Sequence, residues 1–414
     1  MGPARLRTTL AAGVVAASVV PVWAGSPAHA DHDAPCSVGE VPGSERLADT
    51  HEKDNPVFDR MHVEQAQELA MGRGVDVAVI DSGVMRVDGI TVGGARALAG
   101  ASGTGLLSGH GTIVAGLIAG PRGVAPGATV FDYKVYDSDT ADVSQGQKQP
   151  TSAGIVAGIE AVIADDRQVG FDVVNISLAV DSSDPALKAA VARLVALDVV
   201  VVASAGNVEE GDGSDDEGSR GTPGNDAEVF PADYPGVLAV SATPPQGEDP
   251  SAYVVPNLDT DVAAPTVGAI SANATGQVCV VGEVATSWAA AEVSGILALL
   301  RERFPRETPR QLVARLQATT EGAGAPQGPD AVVENPWTGA GVVQAHDALT
   351  REIQPSRRGT VKTTVAETRA DAQAPPAPER VDLFSTPRAI LLWAGLVAGS
   401  LLALAFMLRP LLRR

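Results

Sequence analysis

Three residues whose types together can make a hydroxyl nucleophilic are Asp81, His110 and Ser287. A serine hydroxyl attacks poorly until an adjacent base takes its proton, and the base needs a third group to orient it. Asp81 follows the apolar run Val77-Ala78-Val79-Ile80, which places a carboxylate at the C-terminal edge of a buried strand, where α/β folds keep their ligands. Alone, an Asp there is as readily a turn or helix cap. His110 stands between Gly109 and Gly111 at the head of an apolar helical segment, and neighbours without side chains leave its ring approachable. A helix start with an incidental histidine has the same pattern, although the chain has only six histidines to choose from. Ser287, in Ala285-Thr286-Ser287-Trp288, opens a long apolar helix. The first turn of such a helix offers unpaired N–H groups and a positive dipole end, which suits an attack that creates an oxyanion. Each signal has a bland structural reading by itself; their conjunction points to acyl transfer through serine.

The elements that must hold these residues follow from the hydrophobic pattern. Residues 75–80, 129–135, 172–178, 199–203 and 237–243 read as buried strands, nearly continuous in apolar residues, as in a parallel sheet. Residues 61–71, 112–119, 153–165, 185–197, 287–303 and 309–317 read as helices. Strands alternating with helices predict an α/β fold: a mostly parallel central sheet with helices on both faces. A single C-terminal transmembrane helix is expected in addition.

The order Asp, His, Ser on an α/β scaffold resembles that of the subtilases. Residues 77–84, 110–120 and 286–300 look like the three catalytic blocks of that family, and Val124-Ala125-Pro126-Gly127-Ala128 resembles the loop after its histidine helix. Ser204-Ala205-Gly206-Asn207 is similar to its oxyanion segment, which implies Asn207 as the side-chain donor. Asn175-Ile176-Ser177-Leu178-Ala179 is similar to the edge strand on which a substrate peptide is laid. The resemblance thus implies a serine endopeptidase with the triad Asp81, His110 and Ser287. It implies pocket walls from Ser177, Leu178, Ala179, Ser204, Ala205 and Gly206, and no catalytic cofactor. Three positions depart from the family pattern: Ala285 replaces a glycine, Ala291 a proline and Trp288 a common phenylalanine. A methyl at 285 would crowd the nucleophile if the backbone there needs a positive φ.

The chain ends carry addresses. Residues 1–30 run from Arg5 and Arg7 through an apolar stretch to Ala28-His29-Ala30, the order of a cleaved signal peptide. Residues 389–408 are apolar and uncharged, long enough to span a bilayer, with the basic tail 410–414 behind them. The expected organisation is a signal peptide (1–30), an N-terminal extension wrapping the domain (31–60) and a catalytic domain (61–350). A Pro-rich linker (351–387), a transmembrane helix (388–409) and a cytoplasmic tail (410–414) follow. Together with the cysteine-bearing extension, this layout resembles the mycosins of type VII secretion systems. That likeness implies a single-pass cell-membrane protein with an extracytoplasmic domain, secreted proteins or peptides as substrates and a membrane secretion complex as partner.

Outside the cytoplasm a cysteine pair persists as a disulfide, so Cys36 and Cys279 are expected to be bonded, pinning the extension beside the segment leading to Ser287. The formal charge of −20 excludes nucleic acid as a partner. The acidic run at 209–217 has the composition of a structural calcium loop, but a solvated loop is the expected state, and no metal site is assigned. A structural component of a secretion complex with a weak or silent protease site is the competing function.

Overall fold

The structure is a computed structural model that describes residues 36, 55–101, 106–208, 226–321, 335–361 and 385–409. The expected signal peptide, most of the expected extension, the acidic run, most of the expected linker and the expected tail lie outside the described residues. The chain divides into two units, residues 1–363 and 364–414.

In the first unit, seven strands form one sheet: β1 (Asp76–Asp81), β2 (Val92–Ala97), β3 (Thr129–Lys134), β4 (Val173–Ile176), β5 (Val200–Ser204), β6 (Val237–Thr243) and β7 (Val262–Pro265). Their order is β2-β3-β1-β4-β5-β6-β7, and all neighbouring pairs are parallel. A separate antiparallel pair joins β8 (Ile270–Ala272) to β9 (Val278–Val280).

Because side chains alternate across a strand, each strand feeds two cores. Val77 and Val79 of β1 pack on one face with α1 (Pro56–Met61), α2 (Val63–Gln67), α3 (His110–Ala119), α6 (Thr286–Arg303), α7 (Pro309–Gln317) and α8 (Ala345–Thr350). Ala78 and Ile80 pack on the other face with α4 (Ser152–Val169) and α5 (Pro185–Val195). The helix α6 runs through the middle of its layer, with every residue from Thr286 to Arg301 buried. It is apolar nearly all round, as a helix enclosed on all sides must be. The second unit contains α9 (Ser385–Leu408), whose stretch Pro387–Leu408 is long and apolar enough to cross a membrane.

Two readings change. The single helix expected at 61–71 is two short ones, α1 and α2, broken at His62, which takes the left-handed conformation at φ 54°. The start lies earlier because Asn55-Pro56 is a cap followed by proline at the first helical position: Asn55 Oδ1 accepts the N–H groups of Val57 and Phe58 at 3.2 Å. The strand carrying Asn175 and Ile176 is interior, flanked by β1 and β5, and is not an edge strand. Only the stretch beyond Ile176 is free of strand partners on the sheet, and Val180 there pairs with Phe230.

Candidate active site

Asp81 is the last residue of β1 and is fully buried. Its Oδ1 accepts the Ser82 N–H at 2.6 Å and the Tyr136 hydroxyl at 3.3 Å. His110 is the first residue of α3, and its Nδ1 lies 2.8 Å from Asp81 Oδ1 and 3.0 Å from Oδ2. This close approach depends on Gly111. A Cβ there would fall 2.6 Å from the Gly83 carbonyl oxygen and 3.0 Å from Asp81 Oδ1, forcing the helix start away from the strand end. The Ser82 hydroxyl accepts the Gly111 N–H at 3.0 Å and completes the seam.

Burial opposes charge on the His110 imidazole and is the largest single influence on it. The Asp81 carboxylate, by charge and by hydrogen bond, with the further negative charges of Asp139 and Glu283, outweighs burial and raises the imidazole above its ordinary value. Burial, then the charges of Asp81 and Asp139, push the Tyr136 hydroxyl far up, so it stays a neutral donor to Asp81.

Ser287 is the second residue of α6 and is 7% exposed. The side chain of Trp288, next in sequence, packs against His110 with ring centroids 4.6 Å apart, bringing the starts of α3 and α6 together. The Ser177 hydroxyl, just past β4, lies 2.9 Å from both the Ser287 carbonyl oxygen and Asn175 Oδ1, and its one proton serves either. Asn175 Nδ2 donates in turn to the Ser294 hydroxyl at 3.1 Å, so the end of β4 is stitched to the first and third turns of α6. Asn207, exposed at the turn after β5, accepts the Thr286 N–H on Oδ1 at 2.8 Å. With its oxygen occupied, its amide NH₂ faces elsewhere as a free donor beside the first turn of α6.

Asp81, His110, Asn207 and Ser287 therefore come from two strand ends and two helix starts on the same edge of the sheet. Among the other expected pocket residues Ser177, Leu178, Ser204, Ala205 and Gly206 are buried and only Ala179 is exposed. Ala285, the N-cap of α6, has φ −147° and ψ 139°, an extended conformation that any residue adopts, so its methyl brings no backbone strain beside Ser287. Tyr136 and Glu283 were not singled out from sequence, since neither stands in a recognisable motif. Cys36 and Cys279 are joined by a disulfide, and the Cys36 N–H donates to the Val280 carbonyl at 2.8 Å alongside β9. Among the described residues no group of three or more His, Cys, Asp or Glu side chains is placed to hold a metal.

Comparison with known proteins identifies the family. The profile of the Subtilase family (Peptidase S8) matches residues 72–335. Mycosin-4 of Mycobacterium tuberculosis is 33% identical over 358 residues, covering 78% of this chain and 73% of its own. The crystal structure of MycP1 from the ESX-1 type VII secretion system superposes with a TM-score of 0.59 at 28% identity, covering 78% of this chain and 91% of that one. A chain of an intact ESX-5 inner membrane complex superposes at 0.57 with 25% identity, covering 90% and 94%. The chain belongs to the subtilase family of serine proteases.

Proposed function

We propose that this protein is a membrane-anchored serine endopeptidase of the mycosin kind, working in a type VII secretion complex on secreted proteins or peptides. The observation that carries the chemistry is the Asp81 carboxylate seated on His110 Nδ1, which leaves Nε2 as the free base beside the helix that begins at Thr286. In the proposed reaction His110 Nε2 takes the proton of Ser287 Oγ as the oxygen attacks the scissile carbonyl. Asp81 holds the tautomer and stabilises the imidazolium that forms. The Asn207 amide and the Ser287 N–H receive the oxyanion. His110 then returns the proton to the leaving amine, and water hydrolyses the acyl-enzyme by the same route. No step calls on a metal or cofactor.

The extended backbone of Ala285 favours this reading over a silent, purely structural one, because the departure from glycine leaves the nucleophile's segment unstrained. The anchor is proposed from α9: its 22-residue apolar stretch, at about 1.5 Å per residue, matches a hydrocarbon core of about 30 Å. The basic tail supports an orientation with that end in the cytoplasm and the catalytic domain outside. The partner is proposed from the likeness to the ESX-1 and ESX-5 structures.

The test is labelling of the full chain with a fluorophosphonate probe beside a Ser287→Ala control. Labelling that needs Ser287 supports an activated nucleophile; a folded protein that stays unlabelled, alone and within the assembled complex, overturns the protease reading.

A further inference from the structure

The imidazole of His110 has a neighbour for which the Asp–His–Ser scheme has no role. Trp288 is 2% exposed, and its ring plane is tilted 32° from that of His110 at a centroid separation of 4.6 Å. The polar tip of the same indole, Nε1, donates to Glu283 Oε1 at 3.0 Å. Glu283 stands exposed four residues before Ser287, and its own carbonyl oxygen accepts the Thr266 hydroxyl at 2.8 Å. Its backbone is therefore tied down as well as its side chain.

A phenylalanine at 288 could fill the same apolar space but has no N–H to give; an indole has both an apolar body and a donor tip. The face of an indole is electron-rich and favours a cation held against it. A carboxylate on Nε1 deepens that effect and prevents the ring from turning away. The charged groups facing His110 come from three elements: Asp81 at the end of β1, Asp139 after β3 and Glu283 before α6. Of these only Asp81 bonds the imidazole, and only Glu283 is connected to it through a side chain of the nucleophile's own helix.

We propose that Glu283 and Trp288 are positioning residues for the catalytic base: the carboxylate latches the indole, and the indole holds the imidazole by its face and stabilises the imidazolium. Asp81 thus fixes the edge of His110 and the Glu283–Trp288 pair fixes its plane. The proposal rests on the reading of His110 as the base, and it gives the tryptophan at this position a role that neither its size nor its burial requires.

The test is an NMR titration of His110 in the full chain in detergent, with histidine labelled on the imidazole nitrogens. Wild type is compared with Glu283→Gln, Trp288→Phe and the double variant. Glu283→Gln keeps an acceptor for Nε1 but removes the charge; Trp288→Phe changes no charge and removes the latch. Each is expected to lower the His110 pKa by at least about half a unit, the lower end of what a cation–π contact or one screened charge nearby supplies. The double variant is expected to go little further than the larger single, because the two residues act as one unit. An unmoved pKa in Trp288→Phe, together with a full shift from Glu283→Gln in either background, overturns the proposal: Glu283 would then be a bare charge and Trp288 packing. If Trp288→Phe does not fold, Glu283→Ala at the exposed position takes its place. The latch requires a larger shift there than in Glu283→Gln, and equal shifts overturn it. The imidazole titrates whether or not the enzyme turns over, so a silent protease site would not mask either result.

Discussion

Asn207 and Thr286, 79 residues apart, meet in a single hydrogen bond of 2.8 Å in which the amide oxygen of Asn207 accepts the first N–H of α6. That bond decides which way the amide points. Were the group turned over, an NH₂ would face an N–H, so the donor end is directed away from the Thr286 N–H. One contact satisfies an orphan donor at a helix start and, in the proposed mechanism, leaves the NH₂ for the oxyanion.

Replacing Asn207 by alanine is expected to lower kcat by about 10²–10³-fold, the loss measured for one oxyanion-hole donor in subtilisin. Asn207→Asp is the sharper variant. It keeps an acceptor for Thr286 but has no donor and sets a negative charge against the oxyanion, so its kcat is expected to fall at least as far. Steady-state kinetics on a peptide substrate checks both, and an Asn207→Asp enzyme near wild-type kcat would remove Asn207 from the mechanism.

The base must be neutral to accept the serine proton, and the His110 pKa is raised. Activity is therefore expected to fall on the acid side with a midpoint above 6.5, the ordinary histidine value. Stability runs the other way. The protonated imidazole beside Asp81 contributes fully below the unfolded pKa, and that contribution is lost as pH rises through the folded value. Asp81→Asn is expected to move the acid limb downward and reduce kcat by about 10⁴-fold, because the carboxylate that holds the tautomer is gone. The pH profile of kcat/KM for the two proteins measures the shift.

Glu292, five residues past the nucleophile on α6, is fully buried, and neither carboxyl oxygen has a hydrogen-bond partner. Burial alone drives its pKa far above the ordinary 4.5. The folded state therefore holds a proton that the unfolded state releases above 4.5, and stability declines as pH rises from there toward the folded pKa. The slope is about 1.4 kcal/mol per pH unit. Glu292→Gln is expected to abolish that slope and to raise Tm at pH 7 while changing it little at pH 4. Thermal melts at the two pH values check this; a parallel loss of Tm at both would mean that the carboxylate is charged and paired.

The Cys36–Cys279 disulfide closes a sequence separation of 243 residues and holds Cys36 against β9. Its removal by Cys279→Ser is expected to cost about 2–4 kcal/mol. Comparison of wild-type melts with and without reductant gives an independent measure, and equal Tm values in all three samples would mean that the bond does not stabilise the domain.

The chemistry of this protein was legible in its sequence because it is written in short local patterns. A carboxylate after an apolar strand, a histidine between glycines and a serine at the head of an apolar helix are each visible from their neighbours, as is the strand–helix alternation behind the parallel sheet, although only the conjunction of the three points to acyl transfer. The weakly patterned edge strands β2 and β7 were not legible: Val92–Ala97 holds two glycines and is mostly exposed, and Val262–Pro265 is too short to show a period. Tertiary structure alone decided whatever depends on distant segments meeting or on a backbone angle. It set β4 inside the sheet, with Ser177 beneath the nucleophile, and it turned the Asn207 amide. It gave Ala285 an extended backbone, which removed the steric objection to its methyl, and it brought Tyr136 to Asp81 and Glu283 to Trp288. Residue type and spacing declare which atoms can react, but their orientation is fixed by hydrogen bonds and packing between segments far apart in the chain, and these exist only once the sheet has formed.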